Sequence, residues 1–238
     1  MSIINLAYNP HNVTFNLANL TYVISINMTR PDVVTLFDYT YPALHQGSFA
    51  TLNLYVLQNL HLYLGWLGYC SLPPTMPLTQ PTSDSSSATP NPADPQQPEF
   101  NYTLALLHDA CVIDVGTLPG IGIPKSMPAE KAQGKTAVHE IGHWMGLLHV
   151  FYPESGSCVG SGDFVDDTPM QSRPNWGCPA LGDRDSCMDV QGYDSVKNYM
   201  DYIDDECMTE FTPGQGRRMK EMWGAYRKDK VIVPVGVE

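Results

Sequence analysis

The chain has 238 residues, 43% of them hydrophobic, enough for one domain with a substantial core. Lys and Arg total 13 against 25 Asp and Glu, a formal net charge of −12. A chain without clustered cations cannot neutralise phosphates, which excludes nucleic acid as a partner and disfavours an anionic membrane surface.

No apolar run approaches the roughly 20 residues of a membrane span. The first residues, MSIINLAYNPHN, lack the basic start, apolar stretch and small-residue cleavage site of a signal peptide. Other features nonetheless place the protein outside the cell. Asn12, Asn19, Asn27 and Asn101 each open an Asn-x-Ser/Thr glycosylation triplet, and six cysteines sit in an acidic chain rich in Pro, Ser and Thr. A leader and further N-terminal sequence are therefore expected upstream.

In chain order, Val13–Leu17 and Leu52–Val56 alternate with period two and predict half-buried strands, while residues 30–48 are weakly helical. A stretch from about 73 to 98, full of Pro, Ser, Thr and Gln, cannot bury a core and is expected to be a surface insertion. The apolar run Leu104–Val115 predicts another strand, ending at the turn Leu118-Pro119-Gly120. A helix is expected from Gly134-Lys135-Thr136. Residues 150–210 are dense in Gly, Pro, Asp and Cys without periodicity, as in an irregular lobe that needs staples. A last helix is expected at Thr212-Pro213-Gly214-Gln215, with Thr212 as cap, Pro213 at the first helical position and Gln215 closing a capping box. Met219, Met222, Trp223 and Tyr226 give it one apolar stripe. The chain is read as one domain, with an upper lobe of about residues 1–149 and a lower lobe of about 150–238.

The informative segment is His139-Glu140-Ile141-Gly142-His143-Trp144-Met145-Gly146-Leu147-Leu148-His149. Residues i and i+4 share a helix face, so His139 and His143 can present two imidazoles to one ion. His149 lies too far along for the same helix to deliver it. Gly146 can adopt positive φ, end the helix and turn the chain back. Three neutral imidazoles with one open position make a catalytic zinc site, and Glu140 is placed to act as general base. His11, His45, His61 and His108 have no such spacing. An oxygen-rich loop, Asp163, Asp166, Asp167 and Thr168, suits calcium or is a solvated acidic turn. Cys158, Cys178, Cys187 and Cys207 allow three pairings, and Cys70 and Cys111 are left over in the sheet-forming half.

These residues resemble the metzincin clan of zinc metallopeptidases, whose long zinc motif is followed by a methionine-containing turn, here Asn198-Tyr199-Met200-Asp201-Tyr202. The resemblance is closer still to the pappalysin family and its fungal-type secreted metalloproteases. It runs through Leu52-Asn53-Leu54-Tyr55, Leu67-Gly68-Tyr69-Cys70, Gly134-Lys135-Thr136-Ala137, Asp166-Asp167-Thr168-Pro169, Gly177-Cys178-Pro179, Asp185-Ser186-Cys187, Asp205-Glu206-Cys207-Met208 and Phe211-Thr212-Pro213-Gly214-Gln215. It implies a mixed α/β, two-lobed catalytic domain: a twisted sheet with backing and active-site helices above, and a disulfide-stapled lower lobe with a C-terminal helix. It implies Met200 as an apolar floor beneath the metal, Tyr202 as a phenol aiding the transition state, and crossed disulfides Cys158–Cys187 and Cys178–Cys207. It also implies calcium in this lobe, which some members of the family bind. Only Ile3 to Tyr8 matches the backing helix, so an additional strand is expected upstream. The function expected is extracellular zinc-dependent cleavage of protein or peptide substrates by a monomer, with an edge near Cys111–Val115 taking up the extended substrate. An inactive zinc-binding relative and an adhesion module are the alternatives.

Overall fold

The computed structural model describes residues 1–24, 32–74, 76, 101–121, 129–154 and 156–229. Asn27 and, from residue 77, the Pro/Ser-rich stretch lie outside the described residues.

The core is a three-stranded sheet, with strands β1 (Leu54–Leu57), β2 (Gly68–Cys70) and β3 (Cys111–Asp114) in the order β1-β3-β2. β3 pairs parallel to β1, with Tyr55 beside Val112, and antiparallel to β2, with Cys70 beside Cys111. All four residues of β3 are buried, as a central strand covered on both faces requires. On one face lie the helices α1 (Ser2–Tyr8) and α5 (Lys135–Trp144), joined where the Tyr8 hydroxyl donates to the Val138 carbonyl at 2.8 Å. Val138, Ile141, Trp144, Cys111 and Ile113 form one core with Met200, Phe211 and Met219 from the lower half. On the other face a helical stretch, a wide π-turn at Thr35–Thr40 running into α2 (Tyr41–Leu44), packs Leu36 and Tyr41 with Leu57, Val112 and α3 (Leu60–Leu64).

Two expected elements differ. Val13–Leu17 is not a strand. The Asn5 carboxamide takes both main-chain groups of Phe15, accepting from its N–H at 2.8 Å and donating to its carbonyl at 2.9 Å. One side chain thus supplies the pairing a neighbouring strand would have given. The apolar run from Leu104 is not strand throughout: α4 spans Tyr102–Leu107, started by the Asn101 side chain accepting from Leu104 N at 2.9 Å, and the strand is confined to β3. A run this rich in apolar residues carries no clear period with which to tell helix from strand.

The lower lobe is irregular until α6 (Pro213–Met222), whose capping box is complete: Thr212 accepts from Gln215 N at 3.1 Å and Gln215 accepts from Thr212 N at 2.9 Å. Polar side chains replace regular structure elsewhere. Asp201 accepts from Gln171, from the Asn175 main chain and side chain, and from Tyr202 N. Disulfides join Cys158 to Cys187 and Cys178 to Cys207 in the crossed pattern that the resemblance implies; a third joins Cys70 to Cys111 across β2 and β3.

Candidate metal centre and substrate cleft

α5 begins at Gly134, whose φ of 83° is a left-handed conformation suited to glycine. Its first turn is tied down by Asp205, which accepts from Gln133 N at 2.9 Å and Lys135 N at 3.2 Å; the carboxylate complements the positive end of the helix dipole. Five and nine residues on from Gly134, His139 and His143 project from one face. The helix stops at Trp144, and Gly146, with φ of 89°, reverses the chain. A β-carbon there would collide with Met222 of α6, so both conformation and space demand glycine.

The reversal delivers His149. The three Nε2 atoms lie 3.1–3.2 Å from one another. Tetrahedral bonds of about 2.0–2.1 Å to one ion would set such nitrogens about 3.3–3.4 Å apart, so the set fits zinc. Each Nδ1 is already committed: His139 to the Tyr199 carbonyl at 2.6 Å, His143 to the Leu147 carbonyl at 2.9 Å, and His149 to Glu154 Oε1 at 2.7 Å. With Nδ1 donating, each ring turns its Nε2 lone pair inward. Three converging lone pairs repel one another and have no donor among themselves, an arrangement that a cation resolves. Burial lowers the pKa of all three, to about 3 for His139 and about 4 for His143, keeping them neutral.

Glu140 faces the cleft from the same helix. Burial raises its pKa to about 8; a dication at the adjacent imidazoles would pull it back down. Its side chain lies over β2, where a β-carbon on Gly68 would stand 2.6 Å from Glu140 Cγ. Met200 is fully buried beneath α5, and a β-carbon on Gly142 would strike its sulfur. The ring of Tyr202 stands 5.8 Å from that of His139 and 4.9 Å from that of His149, and burial raises its phenol to about 12, so it remains protonated as a donor. Lys131 Nζ donates to the carbonyls of Tyr202, at 2.8 Å, and Ile203, and lies 3.7 Å from Asp204.

The three histidines, Glu140, Tyr202 and Lys131 line a cleft of about 1070 Å³, walled above by Gly65–Leu72 and below by Trp176, Gly177, Asp204 and Met208. The strand on this cleft is β2. β3, the expected substrate edge, is central, with both sides already paired.

The oxygen-rich loop is not gathered to one point. Among the described residues, two groups of three or more potential ligand side chains converge, the three histidines and Cys178-Glu206-Cys207, whose cysteines are in a disulfide. Asp167 instead accepts from Gly214 N at 2.7 Å and Thr212 Oγ1 at 2.6 Å, serving the start of α6. Asp163 accepts from Thr168 Oγ1 at 2.6 Å and Val165 N at 3.1 Å, but its Oδ2 is buried without a partner; Asp166 is exposed. Asn12, Asn19 and Asn101 are exposed. Sequence reasoning missed Glu154, Lys131 and the Tyr199 and Leu147 carbonyls. The carbonyls leave no side-chain signal, and Glu154 offered only an acid five residues past the third histidine.

Three comparisons bear on this geometry. The Peptidase_M43 family model, described as Pregnancy-associated plasma protein-A, matches residues 124–223. An extracellular metalloprotease of Pyricularia oryzae is 38% identical over 97% of this chain and 67% of its own length. Extracellular metalloprotease 1 of Coccidioides posadasii is 37% identical over 96% and 68%. Among solved structures, mature mirolysin of Tannerella forsythia in complex with a cleaved peptide superposes with a TM-score of 0.52 at 30% identity, over 74% of this chain. The chain spans about half the length of that mirolysin, 53%.

Proposed function

The chain belongs to the pappalysin family of zinc metallopeptidases, and from that premise we propose that it is a secreted endopeptidase that uses Glu140 as general base. The observation that carries this reading is the convergence of three Nε2 atoms within 3.2 Å, with every Nδ1 held by an acceptor. His139, His143 and His149 would hold one zinc ion. When bound, zinc acidifies a water and polarises a carbonyl. Glu140, over Gly68 in the cleft, takes the proton from the attacking water and passes it to the leaving nitrogen. Tyr202, held by Lys131 and Asp201, donates a hydrogen bond from its phenol to the oxyanion as it forms. Met200 keeps the floor beneath the histidines apolar and closely packed.

The substrate lies extended along β2, whose outer edge, unpaired among the described residues, takes it up by strand addition. The cleaved peptide in the mirolysin complex accords with a peptide substrate, and the naming of the fungal relatives as extracellular accords with secretion. The protein acts as a monomer.

The test is proteolysis of a denatured protein by the zinc-loaded chain, beside Glu140→Ala and a chelator-treated control. Cleavage lost in both controls supports the assignment. A folded chain with one bound zinc and no cleavage would overturn it.

A second reading concerns calcium, favoured by the buried, unpartnered Oδ2 of Asp163. A calcium ion held there by Asp163 and neighbouring oxygens should raise the melting temperature of the parent chain and not of Asp163→Asn. Equal shifts in the two would exclude it.

A further inference from the structure

The C-terminal arginines bear on the metal centre, although neither touches it. The last carbonyls of a helix have no partners within the helix and must find them elsewhere. At the end of α5, the main chain supplies donors to three of them. Ile141 O receives Met145 N at 2.9 Å, Gly142 O receives Leu147 N at 2.9 Å, and His143 O receives Gly146 N at 2.8 Å. The next carbonyl, Trp144 O, accepts from Arg227 Nε at 2.8 Å, and Gly146 O accepts from Arg218 Nε at 2.8 Å. Both donors are cations at the negative end of the helix dipole. Both come from the C-terminal helical segment, α6 and the wider turn Trp223–Arg227 that continues it.

The two carbonyls lie between the second histidine and the third. The Gly146–Leu147 peptide is held at both ends, its carbonyl by Arg218 and its N–H by Gly142 O. The following carbonyl, Leu147 O, is the acceptor that orients His143 through Nδ1. The chain then runs two residues to His149. Met222 fills the space that a side chain at Gly146 would need, so α6 also closes the turn sterically.

Arg227 is anchored in turn. Its Nη1 donates to Asp109 Oδ2 at 2.7 Å and to Phe49 O at 3.3 Å, and its guanidinium lies 3.8 Å from the centre of the Trp144 ring. Asp109 also accepts from Trp144 Nε1 at 3.3 Å and from Ser71 Oγ at 2.9 Å.

We propose that Arg218 and Arg227 are positioning residues for the metal centre: together they clamp the turn between His143 and His149 and so set zinc affinity from the C-terminal helix. The inference rests on the three histidines being the zinc ligands. Arg218 is the sharper probe, because it is only half-buried and makes no ion pair within 4.0 Å among the described residues.

The experiment measures the zinc dissociation constant of the whole chain by chelator competition, the absorption spectrum of the cobalt-substituted protein, and the melting temperature of the zinc-free protein. It compares the parent, Arg218→Met, Arg218→Lys and the exposed neighbour Arg217→Met. Arg218→Met should weaken zinc about tenfold, the lower end for groups supporting a ligand indirectly, and alter the cobalt spectrum. Arg218→Lys should recover part of the affinity, and Arg217→Met should match the parent. An Arg218→Met or Arg218→Lys protein that melts lower but keeps the parent's zinc affinity and cobalt spectrum would overturn the clamp, leaving Arg218 a purely structural residue. If Arg218→Met does not fold, Arg218→Lys decides by the same two readouts. A parent chain that binds no zinc would instead overturn the ligand assignment on which the clamp rests.

Discussion

Glu154 holds His149 by accepting a 2.7 Å hydrogen bond from its Nδ1, while Glu154 itself remains largely exposed on the wall of the cleft. The other two histidines are oriented by main-chain carbonyls, which no substitution can remove. The third alone depends on a side chain. Glu154→Ala should therefore weaken zinc binding by about 10–100-fold. Glu154→Gln, whose amide oxygen can still accept, should lose less. Chelator competition on the two variants checks this, and equal affinities in parent and Ala variant would refute it.

Gly68 lies under Glu140, the proposed general base. Gly68→Ala would place a methyl group 2.6 Å from Glu140 Cγ and 2.8 Å from its Oε1, so the carboxylate must move. A displacement of about 1 Å at a reacting group costs about 100-fold in rate. Steady-state kinetics should show kcat falling by that order while one zinc per chain is retained. Unchanged kcat would mean that Glu140 works from another position.

The pair of Arg227 and Asp109 is fully buried. Removing one partner leaves the other charged and desolvated, at a cost of about 3–5 kcal/mol. Asp109→Ala and Arg227→Ala should each destabilise by that order in urea melts. A loss below about 1 kcal/mol in either would show that water enters the site.

Asp163 gives a pH dependence with a definite sign. Burial raises its pKa from 3.8 to about 7, so the native state binds a proton more readily than the unfolded chain does. Its contribution is therefore best at low pH and declines as pH rises from about 4 to about 7. In metal-free protein Asp163→Asn should melt above the parent at pH 8, by an amount worth about 1–3 kcal/mol. The difference should shrink towards pH 4. Thermal melts across that range test it, and a difference that widens on acidification would contradict the assignment.

The centre was legible because its chemistry is local. A spacing of four on a helix, a glycine three residues on and a histidine three beyond that leave little freedom, and the Thr212–Gln215 capping box is similarly contained in four residues. What was not legible is held by partners distant in sequence. Val13–Leu17 has the period of a strand, yet Asn5 occupies its hydrogen bonds. Leu104 belongs to a helix because Asn101 caps it, a signal weaker than the apolar run around it. The stripe of Met219, Met222, Trp223 and Tyr226 marked the packed face of the last helix but not Arg227, a charged residue buried against an acid 118 positions away. The lower lobe carries no period because Asp194 and Asp201 organise it through side chains rather than through main-chain ladders.

The link between Cys70 and Cys111 spans 41 positions of sequence at a single point of the sheet. A cut between Ser71 and Ala110 would therefore open the chain without parting β2 from β3, since the two strands would remain covalently joined beside Glu140. The link would confine the damage of such a cut to the intervening segment and hold β2 and β3 in register.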